Sequence, residues 1–152
     1  MSEPVLRRAL AADVPAMHRV RLAVRENPLR SAIVTETDYL PYLEQHGRGW
    51  VVEQAGDVLA FAIGDRRDGN IWALFVAPGH ERKGYGRRLH DEMVAWLAAQ
   101  GCARLHLSTQ AGTRAERFYR DAGWRECGTT ASGEIRFERD GARASEGATP
   151  CA

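Results

Sequence analysis

Residues 74–89 read LFVAPGHERKGYGRRL: the end of an apolar run, a proline–glycine break, then two glycines one residue apart with basic residues on both sides. Upstream, IWALFV (Ile71 to Val76) is continuously apolar and follows the turn residues RRDGN, a pattern that predicts a central strand buried on both faces. Downstream, Leu89, Met93, Trp96 and Leu97 recur at i, i+4, i+7 and i+8, one face of a helix that Gly101 ends. A strand, a glycine turn and a helix N-terminus in that order form an anion site. The first-turn amides have no partner within the helix, and the macrodipole favours negative charge there.

Two phosphate loops do not fit this stretch. The P-loop needs G-x-x-x-x-G-K-[ST]; Gly79 and Gly84 have the gap, but Tyr85 and Gly86 follow. The dinucleotide fingerprint needs a third glycine three residues after Gly86, where Leu89 stands.

Working outward, VLRRAL at Val5 predicts a short edge strand, and Asp13 is placed to cap a helix carrying Met17, Val20 and Val24. A short second helix is expected near Thr37–Gln45, with Pro41 inside it. WVVEQAGDVLAFAIGD reads as a hairpin around Ala55-Gly56-Asp57. Beyond Gly101, ARLHLST alternates as a strand. TRAERFYRDAG then carries a capping box, Thr113 with Glu116, and an apolar face of Ala115, Phe118 and Ala122. WRECGTT and GEIRFERD form a last hairpin. The expected architecture is α/β: a single domain with a mixed central sheet in the order β-α-α-β-β-β-α-β-α-β-β. The domain is expected over residues 1–139, with 140–152 a disordered tail.

Composition limits the function classes. At 152 residues, 44% hydrophobic and 27% charged, this is an ordinary globular chain, and its formal charge of +1 excludes a general nucleic-acid coat. The three cysteines and five histidines show no metal-ligand spacing, so no metal is expected. No apolar run approaches membrane-spanning length and the N-terminus lacks a signal-peptide pattern, so no membrane partner and a cytoplasmic location are expected. Arg82, Lys83, Arg87 and Arg88 could face RNA, but only Tyr85 offers a stacking platform, and no nucleic-acid partner is expected.

The third comparison fits: LFVAPGHERKGYGRRL resembles the acyl-CoA pyrophosphate loop of the GNAT acetyltransferase superfamily, whose pattern is Gln or Arg, two variable residues, Gly, one variable residue, then Gly or Ala. AGTRAERFYRDAGW resembles a later motif of the same superfamily, and the likeness runs from about Val5 to Glu138. It implies an N-acetyltransferase with acetyl-CoA as co-substrate and a primary amine of a small molecule, peptide or protein as acceptor. A non-catalytic acyl-CoA-binding regulatory module is the alternative, and a homodimer is left open.

The resemblance also implies a site. Amides from Arg82 through Lys83, Gly84, Tyr85 and Gly86, with Arg87 beyond, hold the pyrophosphate. Leu74, Phe75 and Val76, at a strand end splayed by a bulge, flank the pantetheine, and the Val76 amide polarises the thioester carbonyl. Tyr119 is implied as the general acid, although spacing alone reads it as a core aromatic beside Phe118. Arg114 is placed to meet the CoA phosphates. Glu81 departs from the pattern, standing where Gln or Arg is usual. Gly112 stands where an Asn often contacts the cofactor. IWALFV contains no carboxylate to serve as base. Glu26, Glu36, Asp38 and Glu134 are in segments that border the acceptor side, and none is assigned over a water relay.

Overall fold

The computed structural model describes residues 3–24 and 34–141. The expected tail from residue 142 onward, Glu26, and the stretch 25–33 lie outside the described residues. The chain order is β1 (Val5–Arg8), α1 (Val14–Ala23), α2 (Tyr39–Glu44), β2 (Gly47–Gln54), β3 (Asp57–Asp65), β4 (Asn70–Val76), α3 (Tyr85–Ala99), β5 (Arg104–Thr109), α4 (Arg114–Asp121), β6 (Arg125–Thr129) and β7 (Ile135–Asp140). This is the α/β order expected from the sequence.

The strands form one seven-stranded sheet, β1-β2-β3-β4-β5-β7-β6. The β2–β3 hairpin turns on Ala55 (φ 52°) and Gly56 (φ 85°), the two consecutive positive-φ residues that a two-residue hairpin loop requires. Neighbours pair antiparallel except β4 and β5, which run parallel and register at a single pair, Asn70 with His106. Beyond that pair the two strands diverge. Gly69 sits at the base of the divergence with φ 81°, and a Cβ there would lie 2.4 Å from the Arg104 carbonyl oxygen, so the close approach of the two chains needs glycine.

Helices cover both faces. On one, α1 and α2 bury Met17, Val20, Tyr39 and Leu43 against Val51, Phe61, Ile63 and Ala73. On the other, α3 and α4 bury Leu89, Met93, Leu97 and Tyr119 against Val52, Ala60, Ala62, Leu107 and Phe137. Leu89, Met93 and Leu97 are fully buried, as the helical spacing predicted. Each such side chain contributes roughly 1.5–3 kcal/mol. Among the described residues no helix is long and apolar enough to cross a membrane.

Three local expectations are corrected. Asp13 flanks α1 but makes no side-chain cap; its carboxylate accepts the Leu10 amide at 2.8 Å and pairs with Arg7 at 2.8 Å. The bulge in β4 is not at Leu74–Val76, which pair regularly with β3; the register shifts at Trp72 instead. The capping box of α4 is half formed: Thr113 Oγ1 accepts the Glu116 amide at 3.2 Å, while Glu116 reaches past Thr113 to the Gly112 amide at 2.8 Å.

Candidate active site

The divergence of β4 and β5 opens a cavity of about 780 Å³ that passes from one face of the sheet to the other. Its walls are β4, the start of α3, the end of β5 and the start of α4, with Arg21 and Ala23 of α1 closing the far side. This explains why β4 is only partly buried: Ile71 and Ala73 are covered, while Trp72 and Leu74 to Val76 retain exposure toward the gap.

The glycine stretch forms one end. Gly84 is the N-cap of α3 at φ 85°, with no side-chain cap. Arg88 makes the first helical bond, its amide donating to the Gly84 carbonyl at 3.1 Å, so the amides of Tyr85, Gly86 and Arg87 precede the helical ladder. Arg82 adopts φ 64°, a left-handed conformation unusual for a residue with a Cβ, and its alternation with Gly84 turns the loop. Gly86 lies close to both walls: a Cβ there would stand 3.5 Å from Val76 and 3.7 Å from Phe118.

Leu74, Phe75, Val76, Arg82, Gly84, Tyr85, Gly86, Arg87, Arg114 and Tyr119 all line the cavity. Lys83 does not; its Nζ donates to His80 Nδ1 at 3.1 Å on the loop's outer side. The direction of the Val76 amide follows from strand pairing. Ala77 donates its N–H to Leu59 at 2.8 Å, so in the antiparallel alternation the preceding amide, that of Val76, faces away from β3 and toward the gap.

Tyr119 packs against Trp124 and Phe137 at ring-centroid distances of 5.5 and 6.3 Å and is 6% exposed. Burial raises its phenol well above the ordinary value near 10, so it stays protonated at neutral pH. It is thus both a core aromatic and part of the cavity wall.

Glu81, the departure in the loop pattern, is held by its own surroundings. Its Oε1 accepts the Gly79 amide at 2.9 Å and its Oε2 meets Arg114 Nη1 at 2.9 Å. Backbone amides of the loop, and then Arg114, lower its carboxyl pKa. It is the one carboxylate among the described lining residues; Glu36, Asp38 and Glu134 do not reach the wall. Polar groups on the wall away from the loop include Arg21, Asn70, Ser108, Thr109, Gln110 and Thr113. Gly112 is absent from the wall, and its amide is taken by Glu116.

The sequence matches the acetyltransferase (GNAT) family over residues 14–124. The chain belongs to the GNAT acetyltransferase family. Solved members share its fold at low identity. The ribosomal-protein-S18-alanine N-acetyltransferase from Escherichia coli is 21% identical, with a TM-score of 0.76 and coverage of 93% of this chain and 96% of that one. A ribosomal-protein-alanine N-acetyltransferase from Brucella melitensis is 22% identical, with a TM-score of 0.74 and coverage of 90% and 99%. The PaiA N-acetyltransferase from Thermoplasma acidophilum, solved in complex with coenzyme A, is 12% identical, with a TM-score of 0.71 and coverage of 91% and 99%.

Two residues of this GNAT chain escape the sequence reading. His90 is fully buried behind Phe118; its Nε2 accepts from Trp124 Nε1 at 3.0 Å, and its Nδ1 meets Asp91 Oδ1 at 2.8 Å. That pattern places its proton on Nδ1 and ties α3 to the turn between α4 and β6. Arg21 is 5% exposed on the inner side of α1. Its signal was present: it follows Met17 by four residues, a charge on the apolar stripe of an amphipathic helix.

Proposed function

We propose that this GNAT chain transfers an acetyl group from acetyl-CoA to a primary amine, with residues 1–139 as the catalytic domain. The observation that carries the proposal is the single cavity joining the glycine loop, the open edge of β4 and the Tyr119 wall through the gap in the sheet. The residues fit a CoA: free first-turn amides and Arg82, Arg87 and Arg114 suit a pyrophosphate, and the apolar edge of Leu74 to Val76 suits a pantetheine.

In this reading the acceptor nitrogen attacks the thioester carbonyl carbon, whose oxygen the Val76 amide stabilises. A carbon–nitrogen bond forms and the carbon–sulfur bond breaks. Tyr119 gives its proton to the departing sulfur, and the nitrogen loses one proton, so the products are an amide and a free thiol. Presenting a neutral amine at pH 7 costs about 4–5 kcal/mol for an ordinary alkylamine. With no carboxylate beside Tyr119, water held by Ser108, Thr109 or backbone carbonyls is the favoured route for that proton. A cytoplasmic setting and a small-molecule, peptide or protein acceptor belong to the same proposal.

The test is thermal melting with and without acetyl-CoA, followed by thiol release over an amine panel. Saturation at about a hundred times Kd adds roughly 2.7 kcal/mol, a shift of roughly 5–10 °C for a domain of this size. No shift sinks the proposal. A shift without turnover of any amine replaces it with the regulatory binding module.

A further inference from the structure

On the α1 face of the sheet, Arg21 lines the cavity. The Arg21 Cζ lies 4.7 Å from the ring centroid of Trp72, 5.0 Å from Phe75 and 5.9 Å from Tyr39. Ring faces attract the cation, but they do not satisfy a fork of N–H donors. Arg21 Nε and Nη1 have no hydrogen-bond partner.

Among the described residues, the other two buried charged or polar side chains, Asp65 and His90, are paired. Asp65 has Arg67 at 2.8 Å, and His90 has Asp91 at 2.8 Å. Arg21 has no carboxylate partner among the described residues. An unpaired buried charge is costly, and truncation to a hydrophobic residue commonly relieves that cost.

The β4 bulge builds this pocket. Ile71 packs with the α3 face, yet Trp72 and Ala73 both pack with the α1 face, as does Phe75. Two successive residues on one side is what an extra residue in a strand produces, and here it turns Trp72 onto Arg21. The result is a cation held among rings on the α1 side of the cavity.

We infer that Arg21 receives a carboxylate of the acceptor, making the substrate class a small amine that bears a carboxylate, such as an amino acid. This rests on the acetyl-transfer reading. A planar carboxylate matches the guanidinium fork bidentately and cancels its single charge; a phosphate dianion would leave a charge without a partner.

The experiment compares free α- and ω-amino acids with their carboxamides in acetyl-CoA turnover, using the wild type, Arg21→Lys and Arg21→Met. The wild type is expected to favour at least one acid over its amide by about tenfold or more in kcat/KM. Arg21→Met is expected to lose that preference, to keep the acetyl-CoA melting shift, and to melt at least as high as wild type without ligand. Arg21→Lys is expected to keep part of the preference. Equal use of acids and amides, or use of no acid, overturns the inference. So does Arg21→Met melting well below wild type while acid preference is unchanged, which makes Arg21 a packing residue. A wild type with no acetyl-CoA shift overturns the acetyl-transfer reading itself, a separate failure.

Discussion

Glu81 Oε2 and Arg114 Nη1 meet at 2.9 Å, joining the loop after β4 to the first residue of α4. The residue that breaks the family's loop pattern thus pairs with Arg114, one of the cations proposed above for the CoA phosphates. In the proposed reading, a pyrophosphate has to compete with a carboxylate already held by the Gly79 amide.

Replacing Glu81 with Gln removes that competitor and one negative charge. Acetyl-CoA affinity is expected to rise by up to about fivefold at low salt, the range of an exposed ion pair, and the gain to shrink as salt increases. Isothermal titration at two ionic strengths measures it; weaker binding by the variant would mean that Glu81 organises the loop for the ligand.

Tyr119→Phe keeps the ring and removes the proposed acid. Its kcat is expected to fall about a hundredfold with acetyl-CoA affinity little changed. The wild-type rate is expected to show no alkaline loss near pH 10, because the folded phenol ionises above its ordinary value. A wild-type rate falling near pH 10, absent in Tyr119→Phe, would contradict the buried phenol.

His90 gives the fold an acid-sensitive point. Burial, against the smaller opposing effect of Asp91, lowers its pKa below the ordinary 6.5. The unfolded chain therefore takes up this proton first as pH falls. Stability from His90 is complete above pH 6.5 and is lost as pH drops from there toward the folded pKa. Urea melts between pH 8 and 5 should show this decline, and His90→Gln should flatten it. An equal slope in the variant would assign the decline to other groups.

Gly84→Ala tests the backbone of the loop without a clash, since a Cβ there meets nothing within 4 Å. The cost comes from φ 85° alone and is expected to be about 1 kcal/mol in urea unfolding. Loss of acetyl-CoA binding beyond what that destabilisation explains would show that the amide directions, and not only the fold, depend on this residue.

The element order was legible because each element carries its own signal: the apolar run of β4, the Leu89–Met93–Leu97 stripe of α3, and the Ala55-Gly56 turn. The glycine loop was legible because it depends on local backbone freedom. What sequence spacing did not reveal depends on pairing between strands. The bulge is one residue of register, invisible until β3 and β4 are aligned, and it moved from the expected Leu74–Val76 to Trp72. Glu81 looked like a mismatch because its partner Arg114 lies 33 positions away, beyond an intervening helix and strand. Arg21 was passed over because charge on a helix is ordinarily read as solvated, and only the packed rings show otherwise.

The single registered pair between β4 and β5 also divides the sheet mechanically. Asn70 and His106, with the His106 amide on Gly69 at 3.0 Å, join a four-stranded leaf, β1 to β4, to a three-stranded leaf, β5 to β7. Few backbone hydrogen bonds cross the seam, so each leaf can lose its amide protection by its own opening. Hydrogen exchange should resolve two cooperative units with their boundary between β4 and β5, and a molecule that spans the seam should bring their exchange rates together.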